Sequence, residues 1–124
     1  MDQSEEENYN IKETDEFILV SDKKQEYKSK IFISNNDLFC IELVTTCKYQ
    51  IKKYFISLTM NELLKNRFFK MFINLEEVFR ELENKIKKSS IIEETNLIYL
   101  DIPIGLNVIN DIILEIKEKQ KSNE

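Results

Sequence analysis

Two helix starts, Thr59-Met60-Asn61-Glu62 and Asn74-Leu75-Glu76-Glu77, stand between two blocks of strand-like sequence, and each places an N-cap oxygen three residues ahead of a glutamate. That is the capping-box spacing: the cap side chain accepts from a backbone N–H inside the first turn, and the glutamate reaches back to the N–H of the cap. The chain is therefore divided into leading strands, a helical pair and closing strands. This order predicts an α+β domain, mostly an antiparallel meander of about four strands, then a helical hairpin, then three strands, forming a small sandwich or barrel.

The leading block supports that count. Phe17 to Val20 is a short apolar run ended by the polar cluster Ser21-Asp22-Lys23-Lys24. From Tyr27 to Ser34, Lys28 and Lys30 alternate with Ser29, Ile31 and Ile33, and Phe32 interrupts the polar face. Period two is the signature of a half-buried strand. Asn35-Asn36-Asp37 tolerates left-handed backbone and suits a tight turn. In residues 38 to 46, Phe39, Ile41, Leu43 and Thr45 make the better inner face, and Tyr54, Ile56 and Leu58 alternate with Lys53, Phe55 and Ser57 in the strand that follows.

At Thr59 the period becomes helical. Leu63, Leu64, Phe68, Met71 and Phe72 keep helical spacing, with fraying expected near Asn66 to Phe69 because two adjacent phenylalanines cannot share one face of an α-helix. Asn74 restarts a helix whose stripe is Leu75, Val78, Phe79, Leu82 and Ile86; Glu76 to Arg80, Glu81 to Lys85 and Glu83 to Lys87 lie in the favourable order for ion pairs. Strands then return at Ser90 to Glu94, Leu97 to Ile102 and Val108 to Lys117, with the only proline and the only glycine, Pro103 and Gly105, at a bend.

At 124 residues the chain predicts one core. Its net charge of -5 is concentrated at the N-terminus, where residues 1 to 16 carry seven acids against Lys12 alone. Residues 1–16 therefore read as a disordered acidic tail, 17–117 as the globular domain and 118–124 as a polar tail. No stretch approaches the roughly 20 apolar residues of a membrane span, and the acidic N-terminus is unlike a signal peptide. Together with two cysteines, Cys40 and Cys47, this points to a reducing, cytoplasmic setting and no membrane partner.

Without histidine, and without a glycine-rich loop, the sequence offers neither a histidine-activated nucleophile nor a phosphate cradle. Glu76 and Glu77, like Glu93 and Glu94, are sequence neighbours whose side chains diverge or face solvent. The expectation is a non-enzyme with no cofactor, no metal and no small-molecule substrate. Nucleic-acid binding would use a sheet face bearing Lys28, Lys30, Lys52, Lys53 and Tyr54, but the domain is not basic and contains only two arginines, Arg67 and Arg80.

The remaining class is protein interaction. Arg67-Phe68-Phe69-Lys70-Met71-Phe72 holds more large apolar side chains than one face of a helix buries. Either the run packs into the core, or Phe69 or Met71 is left exposed as a docking knob. Phe68, Phe69, Met71, Phe72 and Ile113, with Ile98 beside them, are the candidate interaction residues.

Tyr54-Phe55-Ile56-Ser57-Leu58-Thr59 running into Met60-Asn61-Glu62-Leu63, the helix from Asn74 to Lys88 and the strand Leu97 to Ile102 together resemble the globular head of the centriole-cartwheel and DNA-end-joining scaffold superfamily. The likeness covers roughly residues 17 to 117 and rests on element order and hydrophobic spacing. It implies a β-sandwich or barrel holding an inserted helical hairpin, a head that dimerises or oligomerises, and no catalytic residues. Such heads are followed by a coiled-coil stalk, which the sequence to Glu124 does not contain. Leu58 through Ile116 also resembles strand-helix-helix-strand modules of large Asn- and Lys-rich protist proteins that accompany coiled coils, which implies a structural role. The expected setting is cytoplasmic and cytoskeleton-associated.

Overall fold

The computed structural model describes residues 12–105 and 111–119. Four strands, β1 (Glu13–Val20), β2 (Glu26–Ile33), β3 (Phe39–Cys47) and β4 (Gln50–Leu58), form an antiparallel sheet in sequence order. A single helical turn, α1 (Met60–Leu63), a 3-10 turn (Arg67–Met71) and the longer helix α2 (Leu75–Ile86) follow. A second antiparallel sheet contains β5 (Ser90–Glu94), β6 (Leu97–Ile102) and β7 (Ile112–Lys117), again in sequence order.

Both sheets turn their apolar faces to one core. Ile31, Ile33, Phe39, Ile41 and Leu43 come from the first sheet, and Ile91, Ile98, Leu100, Ile102 and Ile116 from the second. The whole predicted stripe of α2 is buried against them, and Phe79 meets Phe39 edge-to-face with ring centroids 6.4 Å apart. Each such fully buried side chain contributes roughly 1.5–3 kcal/mol through removal of apolar surface from water.

The sheets touch along both flanks. On one side Ser21 bridges Ile91 and the Asp22 N–H donates to the Ile91 carbonyl at 2.9 Å. On the other, Glu118 bridges Tyr54 and the Lys119 N–H donates to the Lys53 carbonyl at 2.7 Å.

The turns work almost without glycine. Lys24, Asp37, Lys48 and Asn96 take positive φ at the four hairpin turns, and Gly105 takes φ 79° after β6. Asp37 and Asn96 suit that conformation, whereas a lysine there carries the steric cost of its Cβ.

Four expectations are corrected. β1 starts at Glu13, not Phe17, because Glu13 to Glu16 pair fully with Lys30 to Ile33; the acidic segment thus overlaps the sheet. Residues 1–11 and 120–124 lie outside the described residues, as does Val108, and β7 begins at Ile112. Glu118 and Lys119, assigned above to a polar tail, are tied to β4 by backbone contacts. Finally, the first helix of the pair stops at Leu63. Asn66 then caps the 3-10 turn by accepting from the Phe68 N–H at 2.9 Å, a start signal that the two capping boxes had overshadowed.

The caps themselves differ in detail. At Thr59 the box is complete: Oγ1 accepts from the Glu62 N–H at 3.1 Å, and Glu62 Oε1 accepts from the Thr59 N–H at 2.8 Å. Asn74 Oδ1 accepts from the Glu77 N–H at 3.0 Å, but the Glu77 carboxylate reaches one residue further, to the Ile73 N–H at 2.8 Å. Thr59→Ala should therefore cost about 1 kcal/mol, read as a lower urea midpoint at unchanged slope. Of the three anticipated ion pairs on α2, Glu81–Lys85 forms at 3.1 Å, while Lys87 turns to Asp15 of β1 at 2.8 Å and ties the helix end to the sheet. This ammonium holds the Asp15 carboxyl below its ordinary range, and the Asp15 carboxyl beside it raises the neighbouring Glu83.

Candidate interaction surfaces and a polar cleft

The phenylalanine-rich run divides between core and surface. Phe68 and Phe69 are each 2% exposed, so neither is a docking knob. The break at Leu64 to Asn66 and the tighter 3-10 turn re-aim both rings inward, which one continuous α-helix would not allow. They stack edge-to-face at 5.2 Å, and Phe72, half-buried, closes on Phe68 at 5.4 Å. Met71 is 58% exposed, and Ile73, which sequence reasoning passed over, is 81% exposed. These two side chains flank Phe72 on a segment fixed at both ends, by the Asn66 cap and by the Glu77 carboxylate on the Ile73 N–H.

Ile113 is 61% exposed on the outer face of the second sheet, as anticipated from its strand face. Its register partner is Asp101, and Ile92 and Tyr99 pair on the same face. Ile98 is fully buried and is withdrawn as a surface candidate; period two along β6 places it with Leu100 and Ile102.

The lysine face does not assemble as anticipated. Lys28, Lys30 and Lys53 occupy the outer face of the first sheet, but Lys52 and Tyr54 belong to the opposite face, and Tyr54 is buried with its ring 6.0 Å from Tyr27. Glu16, Glu26 and Glu42 interleave with the three remaining lysines. Two ammoniums there sit over rings, Lys30 at 5.3 Å from Phe32 and Lys119 at 5.5 Å from Phe55. Those contacts cover a small outer cluster with Cys40, whose thiol burial pushes up to about 11.

At the hairpin-tip end of the first sheet the inner face becomes polar. Tyr27, Tyr54, Lys52 and Cys47 there face Glu93 of β5 across a cleft of about 300 Å³, with Lys23 at its rim. The Tyr27 hydroxyl donates to Glu93 Oε2 at 3.0 Å. Burial first, and the Glu93 carboxylate second, raise the Tyr27 phenol; burial, then Glu118 and Glu93, raise that of Tyr54. Both phenols stay protonated through neutral pH.

Glu93 and Glu94 do diverge, but not both into solvent: the register partner of Glu93 is the buried Ile98, which puts Glu93 on the inner face. The signal lay in the alternation of Ile91 with Ile92, which carries Glu93 inward and Glu94 outward. Among the described residues no three His, Cys, Asp or Glu side chains are grouped to hold a metal ion, and no helix is long and apolar enough to cross a membrane. Comparison with protein-family models, curated proteins and solved structures returns no match to this chain.

Proposed function

We propose that this domain is a non-catalytic assembly module of the scaffold type, which docks a protein partner or a second copy of itself through Met71 and Ile73. The carrying observation is their exposure, 58% and 81%, on a segment capped at both ends. Large apolar side chains held rigid lose little conformational entropy on docking, and methionine is enriched at interfaces. Ile113 supplies a secondary contact on the outer face of the second sheet. The resemblance to the heads of the cartwheel and end-joining scaffolds favours this reading, as do the edge contacts of the two sheets, from which we infer a small closed sandwich. A cytoplasmic, cytoskeleton-associated setting fits the same reading.

Light scattering at high micromolar concentration tests it. The native chain should show a mass above the 14.9 kDa monomer, and the double substitution Met71→Glu with Ile73→Glu should return it to that value. A strict monomer at that concentration removes self-association. Failure of the double substitution to change an observed oligomer removes these two residues as the contact.

A further inference from the structure

We propose that the cleft between Tyr27, Tyr54 and Glu93 binds a protonated aliphatic amine, whether a free small molecule or a lysine side chain of a polypeptide. The argument begins with the unused capacity of the site. Glu93 Oε2 accepts the Tyr27 hydroxyl, and among the described residues no hydrogen bond reaches Oε1. An ammonium is a three-donor group with no acceptor; Glu93 Oε1 and the lone pairs of the two phenol oxygens supply acceptors there, while the Tyr27 proton is already given to Glu93 Oε2.

A negative charge sits at the floor: the Glu93 carboxylate lies 3.0 Å from the Tyr27 hydroxyl and helps raise both phenols, as Glu118 does that of Tyr54, while Lys23 and Lys52 stand among the lining residues. Lys23 and Lys52 line the opening, yet no salt bridge among the described residues joins either to Glu93 or Glu94. Neither of these two ammoniums is paired with the Glu93 carboxylate. A volume of about 300 Å³ is at the small end of ligand sites and admits an alkylamine of a few carbons. Neither Met71 nor Ile73 lines the cleft, so the inference does not depend on the docking reading.

Tyrosine emission provides the readout, since the chain has no tryptophan. The full chain is titrated separately with butylamine, with end-capped tetralysine and with glutarate. Saturable binding of an amine is expected, weakened about tenfold or more by Glu93→Gln, which keeps an acceptor for Tyr27 but removes the charge. Lys52→Gln should tighten it by removing the competing ammonium. Butylamine binding identifies a free amine as sufficient; tetralysine binding without butylamine identifies a polypeptide lysine. Binding of glutarate, equal affinity in Glu93→Gln, or no saturation by either amine up to about 10 mM would overturn the proposal.

Discussion

Phe79→Ala should lower the unfolding free energy by roughly 3–5 kcal/mol, a large share of the 5–15 kcal/mol typical of a domain this size. Phe79 is the centre of the α2 stripe and meets Phe39 edge-to-face, so truncation removes buried area, an aromatic contact and the filling of the space between helix and sheet. Neighbours cannot collapse into the gap easily, because Val78, Leu82 and Ile86 are fixed on the same rigid turn sequence. Urea denaturation followed by far-ultraviolet circular dichroism reads the loss as a drop in midpoint. A change below about 1 kcal/mol would show that α2 is not seated on the first sheet.

The second large effect separates core from surface within two residues. Phe69→Ala should cost roughly 3–5 kcal/mol, whereas Met71→Ala should fall within about 0.5 kcal/mol of the native chain. One side chain is enclosed against Phe68, and the other projects into solvent from the same 3-10 turn. Paired urea curves decide the matter: equal costs at the two sites would contradict the placement of this turn. The stability result also bears on docking, because Met71 is then free to be changed without damaging the fold.

How far the sequence revealed this molecule depends on how local the controlling physics is. The α2 stripe, the cap residues Thr59 and Asn74 and the inner face Phe39, Ile41, Leu43 and Thr45 follow from period and spacing, and the structure buries all of those stripe and inner-face residues. Misreadings arose where tertiary contacts decide. Glu13 to Glu16 look like a solvated run, but backbone pairing with β2 is indifferent to side-chain charge, and Asp15 gains the Lys87 ammonium. Phe68 and Phe69 fit no α-helical face, yet a change of helix type buries both. Tyr54 and Lys53 were grouped by proximity in sequence, although alternation sends them to opposite faces. Glu93 diverges from Glu94 as neighbours in a strand must, but which of the two turns inward is decided by the alternation with Ile91.

The two flanks where the sheets meet have a mechanical consequence. Within each sheet, strands are held by ladders of many hydrogen bonds; between sheets, the described backbone contacts are short seams at Ser21–Ile91 and Tyr54–Glu118, beside the Tyr27–Glu93 bond and the shared apolar core. A load pulling the sheets apart therefore breaks few backbone bonds and is resisted mainly by exposure of the shared core, whereas a load along the strands must shear a whole ladder at once. Tension applied through β1 and β7 would open the molecule like a book, with the hinge set by whichever seam yields second and the cleft at the hairpin tips widening with the opening.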